Sequence, residues 1–163
     1  MHRALLLAIL ASCMDGDQMI ERDEPELPPF DLTEASQGDF AAFMACMSYD
    51  DFVASNMATA WSTIAMTNQA GTCTGCHVAD GMFSSDSHKF FDTLKQRTYL
   101  QVQFFTFDRA ADTVDVNDET IPRVGKAVAP YVDHPRFNAN KGLDATYDLY
   151  QRTMTRVASN DCR

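Results

Sequence analysis

The sequence has few basic residues, and this scarcity limits the partners that the protein can bind. Its 163 residues include 13 Lys and Arg against 23 Asp and Glu, which gives a formal net charge of −10. A chain with this charge would repel the phosphates of a nucleic acid rather than neutralise them. We therefore expect no nucleic-acid partner, and the acidic balance favours a protein partner that presents a basic patch.

Long apolar runs, internal repeats and recognisable catalytic motifs are also missing. No stretch reaches the roughly 20 apolar residues that a membrane-spanning helix needs. The sequence offers no nucleophile–base pair, no phosphate-binding loop and no second cluster of metal ligands, so we expect a carrier rather than an enzyme. Because 45% of the residues are hydrophobic, the chain has enough apolar surface for one domain with a core.

The N-terminus has the pattern of an export signal. Arg3 precedes an apolar stretch at 4–10, and two small residues then lead to Cys13. Residues 10–13 resemble the lipobox of a bacterial lipoprotein signal, which implies cleavage of residues 1–12 and attachment of lipid to Cys13. This resemblance predicts a protein anchored through lipid at the periplasmic or other extracytoplasmic face of a membrane. The alternative is an ordinary secretory signal with an incidental cysteine, and both predict export to a compartment where disulfides form.

Residues 13–33 are predicted to form an acidic tether. Nine acidic residues and one basic residue lie between positions 15 and 40, together with three prolines and few large apolar side chains. Such a segment cannot bury enough surface to offset the entropy that is lost on ordering. The alternative is an acidic docking tail for a basic partner, and the folded domain is expected over residues 34–163.

Apolar spacing predicts a mostly helical domain. Apolar side chains recur at intervals of three and four along several segments, which places them on one face of a helix. The predicted helices lie at 40–47, at 52–66, from Ser85 or Asp86 onward, and at 143–157. Residues 99–107 are rich in β-branched and aromatic side chains, which favours a short strand, with the end of a longer helix as the alternative. Residues 108–140 are expected to be mostly loop.

The pentapeptide Cys73-Thr74-Gly75-Cys76-His77 is the motif that carries chemistry. Its Cys-x-x-Cys-His form attaches c-type haem. Two thiols add to the two vinyl groups of the porphyrin, and the two intervening residues allow both sulfurs to reach these groups from one turn. The histidine after the second cysteine then lies under the ring, where its imidazole nitrogen binds the iron.

This motif resembles that of the monohaem c-type cytochromes, specifically at Cys73, Cys76 and His77 and more loosely over residues 38–160. In that family a helix leads into the motif, a C-terminal helix packs across the N-terminal one, and a loop before the last helix supplies the second axial ligand. The resemblance implies a mostly α, cytochrome c-like domain around one covalent haem c. This domain can also contain a short β-hairpin insertion. It also implies that the protein carries single electrons to and from redox partner proteins, with His77 as the proximal ligand.

Three other interpretations of the motif stay open. A thioredoxin-like pair of cysteines would require a βαβ unit with a strand directly before the motif. A zinc site would require two further ligands with partner spacing, whereas Cys46 and Cys162 are isolated in the sequence. A disulfide between Cys73 and Cys76 would close a very small and usually strained loop.

The second axial ligand is predicted to be His134. The resemblance points to the loop at 130–137, which directly precedes the last helix. Pro135 stiffens this loop, and Asp133 or a backbone carbonyl can orient the ring. An imidazole at this position would give a lower reduction potential than a thioether. The alternatives are an open iron site or one of the other candidate side chains: Met82, His88, Met154, Met44, Met47, Met57 and Met66.

Cys46 and Cys162 are predicted to form a disulfide. Once Cys13 carries lipid and two cysteines carry haem, these two thiols remain in an oxidising compartment. The resemblance adds that the terminal helices pack together, and Cys46 ends the first helix while Cys162 follows the last one. The bridge would contribute about 4–5 kcal/mol in the chain-entropy model.

Two other functions compete with that of an electron carrier. An open iron site would make the protein a haem-based gas sensor or a peroxidase-like protein. If the motif is accidental, the protein is a haem-free interaction lipoprotein. Four cationic side chains are candidates to pair with haem propionates, with solvated surface charge as the alternative: Arg97, Arg123, Lys126 and Arg136.

Overall fold

The computed structural model describes residues 34–77, 81–108, 113–129 and 131–162. The predicted signal, the lipidation site at Cys13 and the acidic tether lie outside these residues. Among the described helices, none is both long enough and apolar enough to cross a membrane.

Within the described residues, eight helices and two antiparallel strands follow one another. In chain order they are α1 (Glu34–Cys46), α2 (Tyr49–Ala54), α3 (Met57–Ser62), α4 (Cys73–Cys76), α5 (Ser87–Gln96), α6 (Thr98–Phe104), β1 (Phe105–Asp108), β2 (Thr113–Val116), α7 (Thr120–Gly125) and α8 (Asn140–Ser159). The strands pair with Phe105 opposite Val116 and Asp108 opposite Thr113. The domain is therefore mostly helical with one short antiparallel sheet, as the sequence predicts at this level of detail.

The last helix, α8, packs against α1 and α3. Leu149 is fully buried, and the ring of Phe43 in α1 lies 5.9 Å from that of Tyr150, between centroids. Gly142 allows α8 to approach Trp61 of α3 closely, because a Cβ at this position would lie 2.6 Å from the indole ring. The packing of the first and last helices confirms the prediction that both carry an apolar face.

The predicted strand at 99–107 is wrong over most of its length. The segment is helical as far as Phe104 and extended only from Phe105 onward. Leu100 and Phe104 are four residues apart and both are buried in the core, which is the spacing of one helix face. Burial of these two side chains outweighs the β propensity of the segment.

The loop predicted at 108–140 contains more regular structure than its composition indicates. Val114 and Val116 are buried on one face of β2, which pairs with β1. Ile121 is buried in α7. These short elements depend on contacts with distant parts of the chain, which local propensity does not report.

The predicted helix at 52–66 is divided into α2 and α3. Asn56 lies between them in the left-handed conformation, with φ of 60°, so the chain changes direction before it reaches Trp61. The predicted start of α5 is confirmed at Asp86, whose side chain accepts a hydrogen bond from the backbone N–H of Lys89.

The predicted disulfide between Cys46 and Cys162 is confirmed, and it joins positions 116 residues apart. It connects the end of α1 to the segment that follows α8. Next to this end of α1, the ammonium of Lys95 donates hydrogen bonds to the carbonyl oxygens of Met44 and Met47. Burial lowers the pKa of Lys95. The cation and the disulfide therefore fix the same helix end, where the helix dipole is negative.

Candidate functional site

The Cys-x-x-Cys-His motif follows a hairpin-like turn at residues 65–72. A β-bridge pairs Ala65 with Thr72, and the N–H of Met66 donates a hydrogen bond to the carbonyl of Gly71 at 3.0 Å. Gly71 has φ of 128°, a conformation that residues with side chains rarely adopt. The turn therefore sets the position at which the motif begins.

The motif itself forms one helical turn, α4. The N–H of Cys73 donates to the carbonyl of Ile64 at 3.2 Å, and the N–H of His77 donates to the carbonyl of Cys73 at 3.1 Å. The side chain of Cys73 is buried. Cys76 ends the same turn, although its side chain lies outside the described part of the chain. The backbone thus has the one-turn spacing of the two cysteines that the motif predicts.

A cavity of about 260 Å³ lies beside this turn, and its lining is almost entirely apolar. It is lined by Trp61, Met66, Cys73, His77, Met82, Phe83, Tyr99, Leu100, Gln103, Phe104, Ile121, Val124, Tyr131, His134, Pro135 and Phe137. Two motif residues, Cys73 and His77, therefore share a cavity with His134, the predicted second axial ligand. The cavity therefore brings two imidazoles and the side chain of Cys73 together between largely apolar walls.

Backbone hydrogen bonds hold the loop of His134 against two other segments. The N–H of Thr67 donates to the carbonyl of Arg136 at 2.7 Å, and the N–H of Phe137 donates to the carbonyl of Gly125 at 2.9 Å. A Cβ at Gly125 would lie 2.8 Å from the carbonyl oxygen of Phe137. Only glycine permits this approach, so the end of α7 and the turn before the motif together position the loop.

The ring of His134 has the hydrogen bond expected of a metal ligand. Its Nδ1 lies 2.8 Å from the carbonyl oxygen of Pro135, and because a carbonyl only accepts, this hydrogen bond requires the proton to be on Nδ1. The lone pair of the neutral ring is then on Nε2, as in metal-bound histidines whose other nitrogen donates to the backbone. Of the two orienting groups considered in the sequence, it is the backbone carbonyl that binds the ring.

The protonation of His134 is linked to its surroundings. Burial lowers the pKa of His134, the hydrogen bond to Pro135 acts in the opposite direction, and the charge of His77 lowers the pKa further. The neutral form, which is the form that binds metals, is therefore favoured.

Phe83 is the site residue that the sequence reasoning missed. Its ring lies edge-on to that of His77 at 5.3 Å and stacks on Trp61 at 5.2 Å, between centroids. Its φ of 56° lies in the left-handed region, which is costly for an aromatic residue. Gly81, two residues earlier, has φ of 76°. A glycine at this position is the sequence feature that could have indicated a turn here, and the turn directs Phe83 back towards the motif.

The alternative ligands fall into two groups. Met66 and Met82 line the cavity together with His134. His88 does not, because it is exposed on α5 and its ring stacks on Tyr49 at 4.0 Å between centroids. The remaining methionines pack in the apolar core or against it: Met44, Met47, Met57 and Met154. The structure thus does not bring His88 or these four methionines to the cavity.

The four candidates for propionate pairing are exposed cations: Arg97, Arg123, Lys126 and Arg136. Arg123 donates a hydrogen bond to the carbonyl of Ala129 at 2.9 Å. None of the four forms an ion pair with another residue that the structure describes. Arg123 lies in α7, Lys126 directly follows that helix, and Arg136 lies in the loop that carries His134.

The other interpretations of the motif gain little from the structure. No group of three or more His, Cys, Asp or Glu side chains within the described ranges could hold a metal ion, so a zinc site finds no further ligands there. The segment before the motif is a turn rather than the strand of a βαβ unit. A disulfide between Cys73 and Cys76 involves a side chain outside the described residues.

No family model, no curated protein and no solved structure matches this chain. The function must therefore be argued from the motif and from the cavity that contains it.

Proposed function

We propose that this protein is an exported, membrane-tethered monohaem c-type cytochrome that carries single electrons. The observation that carries the proposal is the shared cavity, in which Cys73, His77 and His134 meet between apolar walls. The pattern at residues 10–13, which resembles a lipobox, supports the tether. Export and the motif support each other, because covalent haem attachment takes place outside the cytoplasm.

The donor set fits haem c. Cys73 and Cys76 would hold the porphyrin through thioether bonds, His77 would be the proximal ligand and His134 the distal one. When bound, haem c supplies an iron centre that accepts and releases one electron. A second imidazole, instead of a thioether, favours a low reduction potential.

The side chains around the two histidines prepare them for this role. Pro135 holds the proton of His134 on Nδ1 and leaves Nε2 directed away from that hydrogen bond. Phe83 packs against the ring of His77 and restricts its rotation. Trp61, Phe104 and the other apolar residues exclude water, and the low polarity of the site contributes to the potential.

Covalent haem attachment is the first property to test. The full-length protein is produced together with c-type haem maturation machinery, and haem is then extracted with acidified acetone. We expect the haem to stay with the polypeptide, and a variant with Cys73→Ser and Cys76→Ser to release it. If the unchanged protein also releases its haem, or contains no iron, the proposal is wrong and the chain is better described as an interaction lipoprotein.

The second axial ligand is tested by a matched pair of histidine variants. We expect His134→Ala to convert a six-coordinate, low-spin ferric spectrum into a high-spin one. His88→Ala should leave the spectrum unchanged, because His88 lies on the surface of α5 outside the cavity. If His134→Ala keeps a low-spin spectrum, His134 is not the second axial ligand, and the same substitution test is then applied to Met66 and Met82.

A further inference from the structure

A second cavity lies beside the motif, and its lining differs from that of the apolar cavity. It has a volume of about 450 Å³. His77 and Met82 line both cavities. The other residues around the second cavity carry hydroxyl groups and one ammonium: Ser62, Thr63, Thr74, Ser84, Ser85 and Lys89. We refer to the space that these six side chains line as the hydroxyl cavity. His77 therefore lies between an apolar cavity and a hydrogen-bonding one.

A short turn brings the serines and the lysine of the hydroxyl cavity together. The N–H of Ser84 donates to the carbonyl of Gly81 at 3.3 Å, which closes a turn directly before α5. A Cβ at Gly81 would lie 3.0 Å from Cε of Lys89. The glycine therefore leaves room for the aliphatic part of Lys89 against the turn that carries Ser84.

Two serine hydroxyls of this cavity can donate a hydrogen bond to a ligand. Oγ of Ser84 accepts from the N–H of Asp86 at 3.1 Å, and its own proton is not used in that bond. The side chain of Ser85 forms no hydrogen bond with a residue in the described ranges. The hydroxyl of Thr63 is committed, since it donates to the carbonyl of Thr59 at 2.7 Å.

The charge of the hydroxyl cavity is opposite to that of the whole chain, which has a formal net charge of −10. Of the described side chains that line it, one is cationic, Lys89, and none is acidic. Asp86 instead accepts the N–H groups of His88 and Lys89 at the start of α5. Lys89 lies in the first turn of this helix, where the helix dipole disfavours a cation. The stability of α5 therefore does not explain this lysine.

These donors fit a small oxyanion such as phosphate or sulfate. Such an ion has several acceptor oxygens, which can bind hydroxyl and ammonium groups at the same time. An ammonium has three protons, so Lys89 can bind the ion in addition to a neighbouring residue. A nucleic acid would also meet the negative charge of the remaining chain, whereas a small ion contacts this cavity alone.

We propose that the hydroxyl cavity binds a small tetrahedral oxyanion, and that this anion lowers the reduction potential of the proposed haem site. The inference rests on the proposed function, because it requires His77 to be the proximal ligand. A metal-bound histidine carries a proton on its other nitrogen, and an acceptor for this proton makes the ligand more basic. An anion beside His77 therefore stabilises the ferric state more than the ferrous state. By linkage, the ferric protein binds the anion more tightly, and a difference of about tenfold corresponds to about 59 mV.

The first test locates the anion and does not require haem. Inorganic phosphate is titrated into the full-length, isotope-labelled Cys13→Ser protein at constant ionic strength, with chloride as the balancing anion. NMR spectra then report the backbone amides that respond. We expect chemical-shift changes at Thr74, at Ser84 and Ser85, and in the first turn of α5.

Two lysine variants with the same change of charge separate the cavity from the net charge. Lys89→Gln should weaken phosphate binding about tenfold. Lys141→Gln is the matched control and should bind like the parent, because Lys141 is exposed at the start of α8 and does not line the cavity. Ser84→Ala with Ser85→Ala should weaken binding without any change of charge. Circular dichroism confirms that each variant folds.

The second test measures the reduction potential of the haem-loaded protein at constant pH and ionic strength. We expect phosphate, compared with chloride, to lower the potential in the parent and in Lys141→Gln. In Lys89→Gln the potential should no longer depend on phosphate. The quantity compared is the change with phosphate, because the loss of a charge also shifts the potential by itself.

Four outcomes would overturn the proposal: no phosphate binding to the parent, equal binding to Lys89→Gln and Lys141→Gln, shift changes located outside the hydroxyl cavity, or a potential that stays constant although phosphate binds. Binding to phosphatidylglycerol vesicles through Lys89, without binding of inorganic phosphate, would overturn it in favour of a lipid headgroup. Failure of haem attachment is a separate result. It would refute the proposed function, while the NMR titration would still decide whether the cavity binds an anion.

Discussion

The helices that pack in the core and the segments that surround the cavity are held together in different ways. α1, α3 and α8, here called the helical side, are joined by buried apolar side chains and by one disulfide. Residues 64–77 and 121–137, here called the cavity side, are joined chiefly by backbone hydrogen bonds between short segments. The comparison shows that the framework is built from helices packed through buried side chains, whereas the proposed chemistry depends on loops that this framework supports.

Trp61 belongs to both sides. Its indole Nε1 donates a hydrogen bond to Oγ1 of Thr146 in α8 at 3.2 Å, and Gly142 leaves room for its ring. The opposite part of the ring stacks on Phe83 and lines the cavity. Changes at Gly142 or Thr146 are therefore expected to reach the cavity through Trp61, whereas changes elsewhere on the helical side are not.

The largest effect is expected from removing the disulfide of the helical side. The variant Cys46→Ala with Cys162→Ser frees a connection across 116 positions and should lower the free energy of unfolding by about 4–5 kcal/mol in the chain-entropy model. Urea denaturation of the variant and the parent measures this difference. The haem spectrum at neutral pH should stay the same, and a changed spectrum would show that the two sides are not independent.

A smaller effect is expected from Gly142→Ala, which acts at the contact between the two sides. The new Cβ would lie 2.6 Å from the ring of Trp61, so overpacking should cost about 1–3 kcal/mol despite the better helix propensity of alanine. Gly75→Ala is the matched control, because its Cβ would meet nothing within 4 Å. Thermal unfolding of both variants measures the difference, and equal stability of the two would contradict the close contact.

Gly125→Ala tests the cavity side with the same chemical change. Its Cβ would lie 2.8 Å from the carbonyl oxygen of Phe137, so the loop of His134 has to move. We expect a loss of about 1–2 kcal/mol, together with a shifted His134 resonance in NMR spectra. Gly142→Ala should shift that resonance less, and the reverse order would show that the core, rather than the backbone bonds, positions the loop.

The smallest effect is expected from the hydroxyl of Tyr147, which joins α8 to the segment that follows β2. It donates a hydrogen bond to Asp118 at 2.7 Å, and this bond, followed by burial and nearby negative charge, raises the pKa of Tyr147 from 10.0 to about 12. The folded state therefore holds the Tyr147 proton more tightly than the unfolded state does. The resulting stabilisation is fully present below the ordinary pKa of 10.0 and is lost as the pH rises towards the folded-state pKa of about 12.

The variant Tyr147→Phe has no hydroxyl to titrate, so its free energy of unfolding should fall less steeply between pH 10.0 and about 12 than that of the parent. Asp118→Asn should act in the same direction, since it removes the negative charge that retains the proton. Denaturation midpoints measured at several alkaline pH values test both variants. An unchanged pH dependence in both would exclude a contribution from this pair.

The parts of the fold that the sequence predicts well are those with local periodicity. The apolar stripe of α8 and the cap of α5 at Asp86 depend on residues within one or two turns, so their pattern is visible without other information. The division of 52–66 at Asn56 was not predicted, and the helical structure of 99–104 was only the less favoured alternative to a strand. In both cases burial against distant residues decides between conformations that are locally similar in free energy.

The candidate site shows the same division. The spacing of Cys73, Cys76 and His77 is a local property, and it predicts a helical turn that the backbone confirms. The sequence could rank His134 above His88 only through the resemblance, because both are single histidines in polar surroundings. Phe83 was missed because its role depends on a left-handed turn and on neighbours far away in sequence.

The sequence by itself determined the motif, its one-turn geometry, the pairing of Cys46 with Cys162 and the acidic balance of the chain. Only the tertiary structure decided which side chains share a cavity with His77. The physical reason is that helix faces follow from intervals of three and four residues, whereas the loops are placed by backbone hydrogen bonds between distant segments. Those bonds join backbone N–H and C=O groups, which nearly all residues have, so the local sequence does not indicate where they form.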